Sequence, residues 1–321
     1  MSVTDTTGAL VTQAPSVLLG RPGAVAGDPP DELVAAHYGD PLREQALPAG
    51  VVDRSQREVV TVTGPDRLSW LHTLTSQHLS ELAPGVGTEA LILSPHGHVE
   101  YHLALVDDGT TTWIDMEPGT AAELVTYLDR MRFMLRVEVA RDSRAVLTAV
   151  GEGTAPALAT DGFLAHQMPW GVDLLVPRAD VDAVVDALGI PLVGHSAFEA
   201  ARVAARRPRL GFESDHRTIP NELPWLDTAV HLQKGCYRGQ ETVARTHNLG
   251  RPPRRMVLLH LDGALPERGA AVTAAERTIG WIGTPAYHAE LGPIALAVIK
   301  RNVADDQALV VDGIAASIDP A

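Results

Sequence analysis

The last 65 or so residues hold six short apolar runs: Met256 to Leu261, Val272-Thr273, Thr278 to Ile282, Pro293 to Lys300, Ala308 to Val311 and Ala315 to Ile318. Gly, Pro or Asp turns separate each run from the next, so none can grow into a helix of useful length. Strands this short and this regularly punctuated predict a small closed barrel or sandwich. The unit is acidic and lacks clustered catalytic residues, which gives it a supporting role.

Upstream, strands and helices interleave. Glu58 to Thr63 predicts a strand, and Gly64-Pro65-Asp66 opens a helix with proline at its first position. Leu68, Leu71, Leu74, Leu79 and Leu82 follow at helical spacing until Pro84-Gly85. Ala90 to Leu93 is a short strand leading into the turn Ser94-Pro95-His96-Gly97. In the strand that follows, Val99, Tyr101, Leu103 and Leu105 alternate with His98, Glu100 and His102. That polar row is predicted as a solvated face, in preference to a metal site, because three side chains along one strand do not converge on a point; lining a pocket is the third reading. Thr111 to Asp115 predicts a strand, and Thr120 to Leu135 a helix with Leu124, Leu128, Met131 and Leu135 on one side. A second unit covers about 137 to 195, with strands at Val137 to Val139, Ala145 to Val150 and Val172 to Val176 and a helix from Asp180 to Leu188. His195 to Arg207 reads as an alanine-rich helix. No GxGxxG or Walker sequence is present, so the class is α+β and not a doubly wound sheet. The expected organisation is a Pro/Gly-rich extension over 1–45, two α+β lobes over 46–250 and a β-barrel over 251–321. Within the extension, only Asp31 to Tyr38 could make a helical turn or two, and the rest reads as poorly ordered or surface-wrapping.

Charge and cysteine content narrow the function. The chain carries 26 basic and 40 acidic residues, a net charge of −14, which speaks against general nucleic-acid binding and against an anionic membrane surface. A single cysteine cannot make an internal disulfide or a CxxC pair. No apolar run approaches the roughly 18 residues needed to span a bilayer, and no signal peptide is evident. A cytoplasmic, reduced protein is expected.

One octet stands out: Lys234-Gly235-Cys236-Tyr237-Arg238-Gly239-Gln240-Glu241, with Arg245 four residues beyond. It contains the only cysteine and one of only two lysines, the other being Lys300. Cations at Lys234 and Arg238, with a helix starting at Gly239-Gln240-Glu241, would favour a thiolate at Cys236. Such a thiolate could be a nucleophile, a redox site or a ligand to a metal or cluster. Pairing with His231 or His247 has no further support, and a lone cysteine can also be a small buried hydrophobe. The octet lies in a cationic island, Lys234, Arg238, Arg245, Arg251, Arg254 and Arg255 against one acid, Glu241, with Arg202, Arg206, Arg207, Arg209 and Arg217 a little upstream. This island either holds a small anionic ligand or is spent in ion pairs with acids elsewhere.

The octet, followed by Val243-Ala244-Arg245, resembles the signature of the YgfZ family, folate-binding proteins related to the aminomethyltransferase (T-protein) of the glycine cleavage system. The resemblance runs from about Val51 to the end, through Val62-Thr63-Gly64-Pro65-Asp66, Leu93 to His98, Arg202, Thr218-Ile219-Pro220-Asn221-Glu222 and the final β unit. It implies three lobes around a channel that takes tetrahydrofolate, with Glu222 holding the pterin. Arg202, Tyr237, Arg238, Gln240, Glu241, Arg245, His98, Glu100 and His102 are the further implied folate contacts, and Cys236 with Lys234 is the implied reactive pair. The transferases carry an aspartate pair on the central strand where this chain has Tyr101 and His102, which argues against glycine-cleavage chemistry and leaves enzymatic activity open. The family's association with iron–sulfur cluster assembly or maintenance implies iron–sulfur client or assembly proteins as partners. A folate-dependent one-carbon transferase or demethylase is the alternative, and an RNA-binding module a third.

Overall fold

A computed structural model describes residues 13–151 and 163–320. The first sheet runs in the order Gly87–Leu93, Val99–Asp107, Thr111–Met116, Glu58–Thr63, Glu138–Asp142, all antiparallel. Alternation sends Val60, Val62, Leu103, Leu105 and Ile114 to one face, where helices Arg67–Leu74 and Ala121–Met131 cover them with Leu71, Leu124 and Leu128. The second sheet runs Leu164–Met168, Gly171–Val176, Ala145–Gly151, Ala49–Asp53, Leu192–Val193, with only the last pair parallel. Its outer face packs Leu147 and Leu174 under Val181 and Val185 of helix Val181–Leu188. The inner faces of the two sheets meet through Val59, Val106, Val146 and Leu175.

The chain is woven between the sheets more than its order suggests. Glu138–Asp142, read as the start of the second unit, pairs with Glu58–Thr63 in the first sheet. Ala49–Asp53 and Leu192–Val193, which bracket both units in sequence, sit together in the second sheet. Apolar periodicity marks a strand but does not name its partner.

Three local expectations are corrected. The leucine-rich helix stops at Leu74, because Thr75 turns to φ −109°, ψ 165° and Ser76 instead bonds to Leu91 O and Ala229 O. The second helix ends at Met131, leaving Leu135 half-exposed, and Phe133 sits at φ +49°. Residues 13–45 are built into the molecule and are not a loose extension; residues 1–12 lie outside the described residues. Leu18 and Val34 are fully buried, Ala35–His37 forms a strand where a helical turn was expected, and Asp31 enters a buried ion network. Proline and glycine content signalled lack of periodicity, which a well-packed irregular segment shares with a disordered one.

The barrel closes in the order Arg254–Leu261, Gly292–Lys300, Arg277–His288, Ala271–Ala274, Leu309–Val311, Ile314–Ile318. Its core of Val257, Leu259, Ile282, Ala297 and Ile299 follows the predicted alternation. The strand expected over 278–282 extends to His288 across a register shift at Ile282/Pro285.

Candidate functional site

Between the two sheets lies a cavity of about 80 Å³, lined by Arg54, Gln56, His102, Trp170, Phe198 and Trp225 among others. A second, of about 420 Å³, shares Trp170, Phe198, Arg202 and Arg207 with it. Strand alternation explains the first. Because Leu103 and Ile114 point to the helices, His102 and Asp115 point inward, and because Leu147 and Leu174 point outward, Thr148 and Asp173 face them. His102 Nε2 lies 2.7 Å from Glu89 Oε1 on the neighbouring strand, and its ring stacks on Trp225 at 4.9 Å and 21°. Burial alone would push the Glu89 carboxyl up, but the His102 contact overrides it and holds the carboxyl below its ordinary value. Arg54 lies over both Phe198 and Trp170, 4.7 and 5.5 Å from the ring centres, and donates to Thr148 and Asp173.

Behind this cavity a buried ion network ties all parts of the fold together. Arg209 donates to Asp31 of the N-terminal segment at 2.7 Å and to Glu117 beyond the first sheet at 2.7 Å, and lies 3.7 Å from Glu199 of helix His195–Ala204. Arg57 bridges Asp115 and Glu117. Arg202 joins Glu199 and Glu213 and donates to Thr284 of the barrel. Burial would raise the Glu117 carboxyl, yet Arg209 and Arg57 hold it down at about 2.

The octet lies elsewhere, on a loop leading into helix Gln240–Leu249. Gly239, at φ +80°, and Gly97, at φ +81°, meet backbone to backbone: a Cβ on Gly239 would fall 2.6 Å from Ser94 O and 2.8 Å from Gly97 Cα. The two glycines are needed for this close approach, which pins the octet loop to the turn before the central strand. Cys236 is exposed. Lys234 is buried, and its ammonium donates to the carbonyls of His72, Thr75 and Gln77. Burial pushes it down to about 8. Its charge therefore closes the end of helix Arg67–Leu74, a structural job that the reading of a thiolate-stabilising lysine did not anticipate. Arg238 pairs with Glu100 at 3.2 Å and lies over Tyr127. Gln240 donates weakly to Lys234 O at 3.4 Å, Tyr237 is buried beside Lys234, and Glu241 and Arg245 are exposed on the helix.

Of the residues singled out from sequence, His102 and Arg202 line the first cavity, and Arg202 is already saturated by its partners. His98 and Glu100 do not share the face of His102. Leu93 pairs with Val99 and Ile92 with Tyr101, so Glu100 is the extra residue of a bulge and turns to solvent. The same bulge puts Val99 with Leu93 and Trp225, on the opposite face from Tyr101, against the predicted alternation, while the solvated-face expectation fails for His102 because Trp225 covers its ring. Glu222 accepts from Ile219 N and binds Arg254 through both oxygens at 2.7 and 2.8 Å, away from the cavity lining. Most of the cationic island is spent in this way: Arg202, Arg206, Arg209, Arg238, Arg254 and Arg255 all have carboxylate partners. Among the described residues, Arg207, Arg217, Arg245 and Arg251 make no ion pair, and only Arg207 lines the cavities. Sequence reasoning missed Glu89, Arg54, Gln56, Trp170 and Trp225. The only available hint was the rarity of tryptophan, five in the chain.

Residues 254–321 match the family model described as CAF17, C-terminal beta-barrel domain. The tRNA-modifying protein YgfZ of Photorhabdus laumondii is 26% identical over 244 residues, 68% of this chain and 73% of that one. The chain is thus similar to YgfZ over most of its length and to CAF17 in its barrel. A homologue of the iron–sulfur cluster assembly factor IBA57 from Phaeosphaeria nodorum is 22% identical over 247 residues, 71% of this chain and 60% of that protein. The solved glycine cleavage system aminomethyltransferase T of Bartonella henselae superposes with a TM-score of 0.82 at 19% identity, covering 94% of this chain and 95% of its own. The fold of the chain is thus aminomethyltransferase-like α+β, ending in a six-stranded barrel. No helix among the described residues is long and apolar enough to cross a membrane.

Proposed function

We propose that this protein binds a reduced folate in the cavity between its sheets and serves iron–sulfur cluster assembly or maintenance, with Cys236 as its exposed reactive group. The observation that carries the reading is the cavity wall: a histidine stacked on Trp225, a second tryptophan and an arginine–aromatic stack surround a space suited to a flat ring. The Gln56 carbonyl oxygen, buried in that wall without a donor, fits a ligand that brings N–H groups. Arg207, at the seam of the two cavities, donates to Pro169 O and feels the Glu89 charge, but has no carboxylate within ion-pair distance among the described residues, which suits a carboxylate of the glutamate tail. A bound reduced folate would supply a carrier for one-carbon units; the chain's own residues stack, orient and anchor it. The relatives named for iron–sulfur cluster assembly support the second half of the reading, and the exposed thiol on a backbone-locked loop gives it a site of contact with a client or assembly partner.

Calorimetric titration tests the first half. Tetrahydrofolate is expected to bind with one site per chain, and tetrahydropteroate, which lacks only the glutamate, roughly tenfold more weakly, the loss of one charge-assisted contact. Absence of heat with tetrahydrofolate at millimolar concentration would remove the folate reading.

A further inference from the structure

The cavity wall can be sorted by what is already satisfied. Glu117 is taken by Arg57 and Arg209, Glu199 by Arg202, and Asp173 by Arg54, Thr148 and Trp170. Glu89 is held by His102 and Thr228, and two acceptors are left over. The Gln56 amide nitrogen donates to Asp31 Oδ1 at 2.9 Å and lies 3.1 Å from His195 Nε2, so the carboxylate fixes which end of the amide is nitrogen. Its Oε1 is buried and has no donor. His102 uses Nε2 on Glu89, and its Nδ1 makes no hydrogen bond among the described residues. A carboxylate can only accept, so Nε2 carries the proton and, in the neutral ring, Nδ1 presents a lone pair. Stacking on Trp225 holds the ring in that orientation.

We infer that Glu89, His102 and Gln56 form a donor-reading subsite, which recognises the N–H edge of a flat nitrogen heterocycle. Glu89 acts as a positioning residue that sets the histidine tautomer, and His102 Nδ1 and Gln56 Oε1 accept from the ligand. The inference rests on the folate reading and deepens it, because the amino-pyrimidinone ring of a reduced folate carries such an edge. A trapped water could satisfy Gln56 by itself, so the test must read ligand affinity.

Three variants are titrated with tetrahydrofolate, with thermal unfolding run in parallel to confirm that each is folded. His102→Phe keeps a ring on Trp225 but removes the acceptor. Glu89→Gln can face Nε2 with either its carbonyl or its NH2, so the proton is no longer fixed on Nε2 and Nδ1 is no longer held as an acceptor. His102→Asn returns a carbonyl oxygen near the place of Nδ1. His102→Phe and Glu89→Gln are each expected to weaken binding roughly tenfold, and His102→Asn by no more than about threefold. Wild-type affinity in both His102→Phe and Glu89→Gln overturns the subsite and leaves the folate reading standing. Equal losses in all three variants also overturn it, since ring shape and not the acceptor would then matter. Failure of the wild type to bind tetrahydrofolate overturns the folate reading and this assignment together.

Discussion

Replacing Arg209 with methionine is expected to destabilise the fold by about 3–5 kcal/mol, the range seen when one partner of a buried ion pair is removed. Methionine roughly fills the volume, but Asp31, Glu117 and Glu199 are left facing one another with one cation fewer. Those three carboxylates come from the N-terminal segment, the end of the first sheet and the helix that touches the barrel, so the loss is felt across all parts of the fold. Against a typical total of about 5–15 kcal/mol, this is a large share. The same network sets the acid limit of the protein. Glu117 is held near 2 in the folded chain against an ordinary 4.5. Between those values the unfolded chain binds a proton that the folded chain refuses, so stability falls as pH drops through that window. In Arg209→Met the carboxyl loses one of its two cations and rises, so acid unfolding should begin at higher pH. Guanidinium unfolding at neutral pH and an acid titration by circular dichroism check both effects. A loss under about 1 kcal/mol with an unmoved acid limb would contradict the role given to this arginine.

The second large effect is a dissociation between two residues two positions apart. Lys234→Met removes the donor for three backbone carbonyls at the end of helix Arg67–Leu74, and a buried polar group left unsatisfied costs about 1–3 kcal/mol. A total loss of about 2–4 kcal/mol is expected, allowing for carbonyls that regain water. Cys236→Ala touches an exposed side chain and should change stability by less than about 0.5 kcal/mol. It should nevertheless abolish complementation of an iron–sulfur-enzyme defect in cells lacking the protein, while leaving tetrahydrofolate affinity as it was. Full complementation by Cys236→Ala would remove the thiol from the function. An unchanged melting profile in Lys234→Met would show that its three carbonyls find other donors.

The elements that were legible in the sequence are those governed by local pattern. The barrel strands, the central strand and the helix from Gln240 follow from alternation, turn residues and glycine punctuation. What escaped was set by tertiary pairing. The bulge at Glu100 moves Val99 to the face opposite Tyr101, and nothing in a strand's own sequence announces an extra residue opposite Ile92 and Leu93. The octet was marked by rare residue types, yet rarity did not separate Lys234, which closes a helix, from Cys236, which faces solvent. The arginines were visible as a cluster, but their acidic partners come from distant stretches, such as Asp31 for Arg209 and Asp319 for Arg206. Glu89 and Trp225 became site residues only when the sheet and the helix Trp225–Thr228 brought them against His102.

A crystal structure of the protein grown with tetrahydrofolate tests the folate site most directly. The pterin ring is expected between the sheets, with its N–H edge towards His102 and Gln56 and its glutamate carboxylates near Arg207. Folate density on the exposed Arg245 and Arg251 surface with an empty cavity, or no folate at all at millimolar concentration, would contradict it.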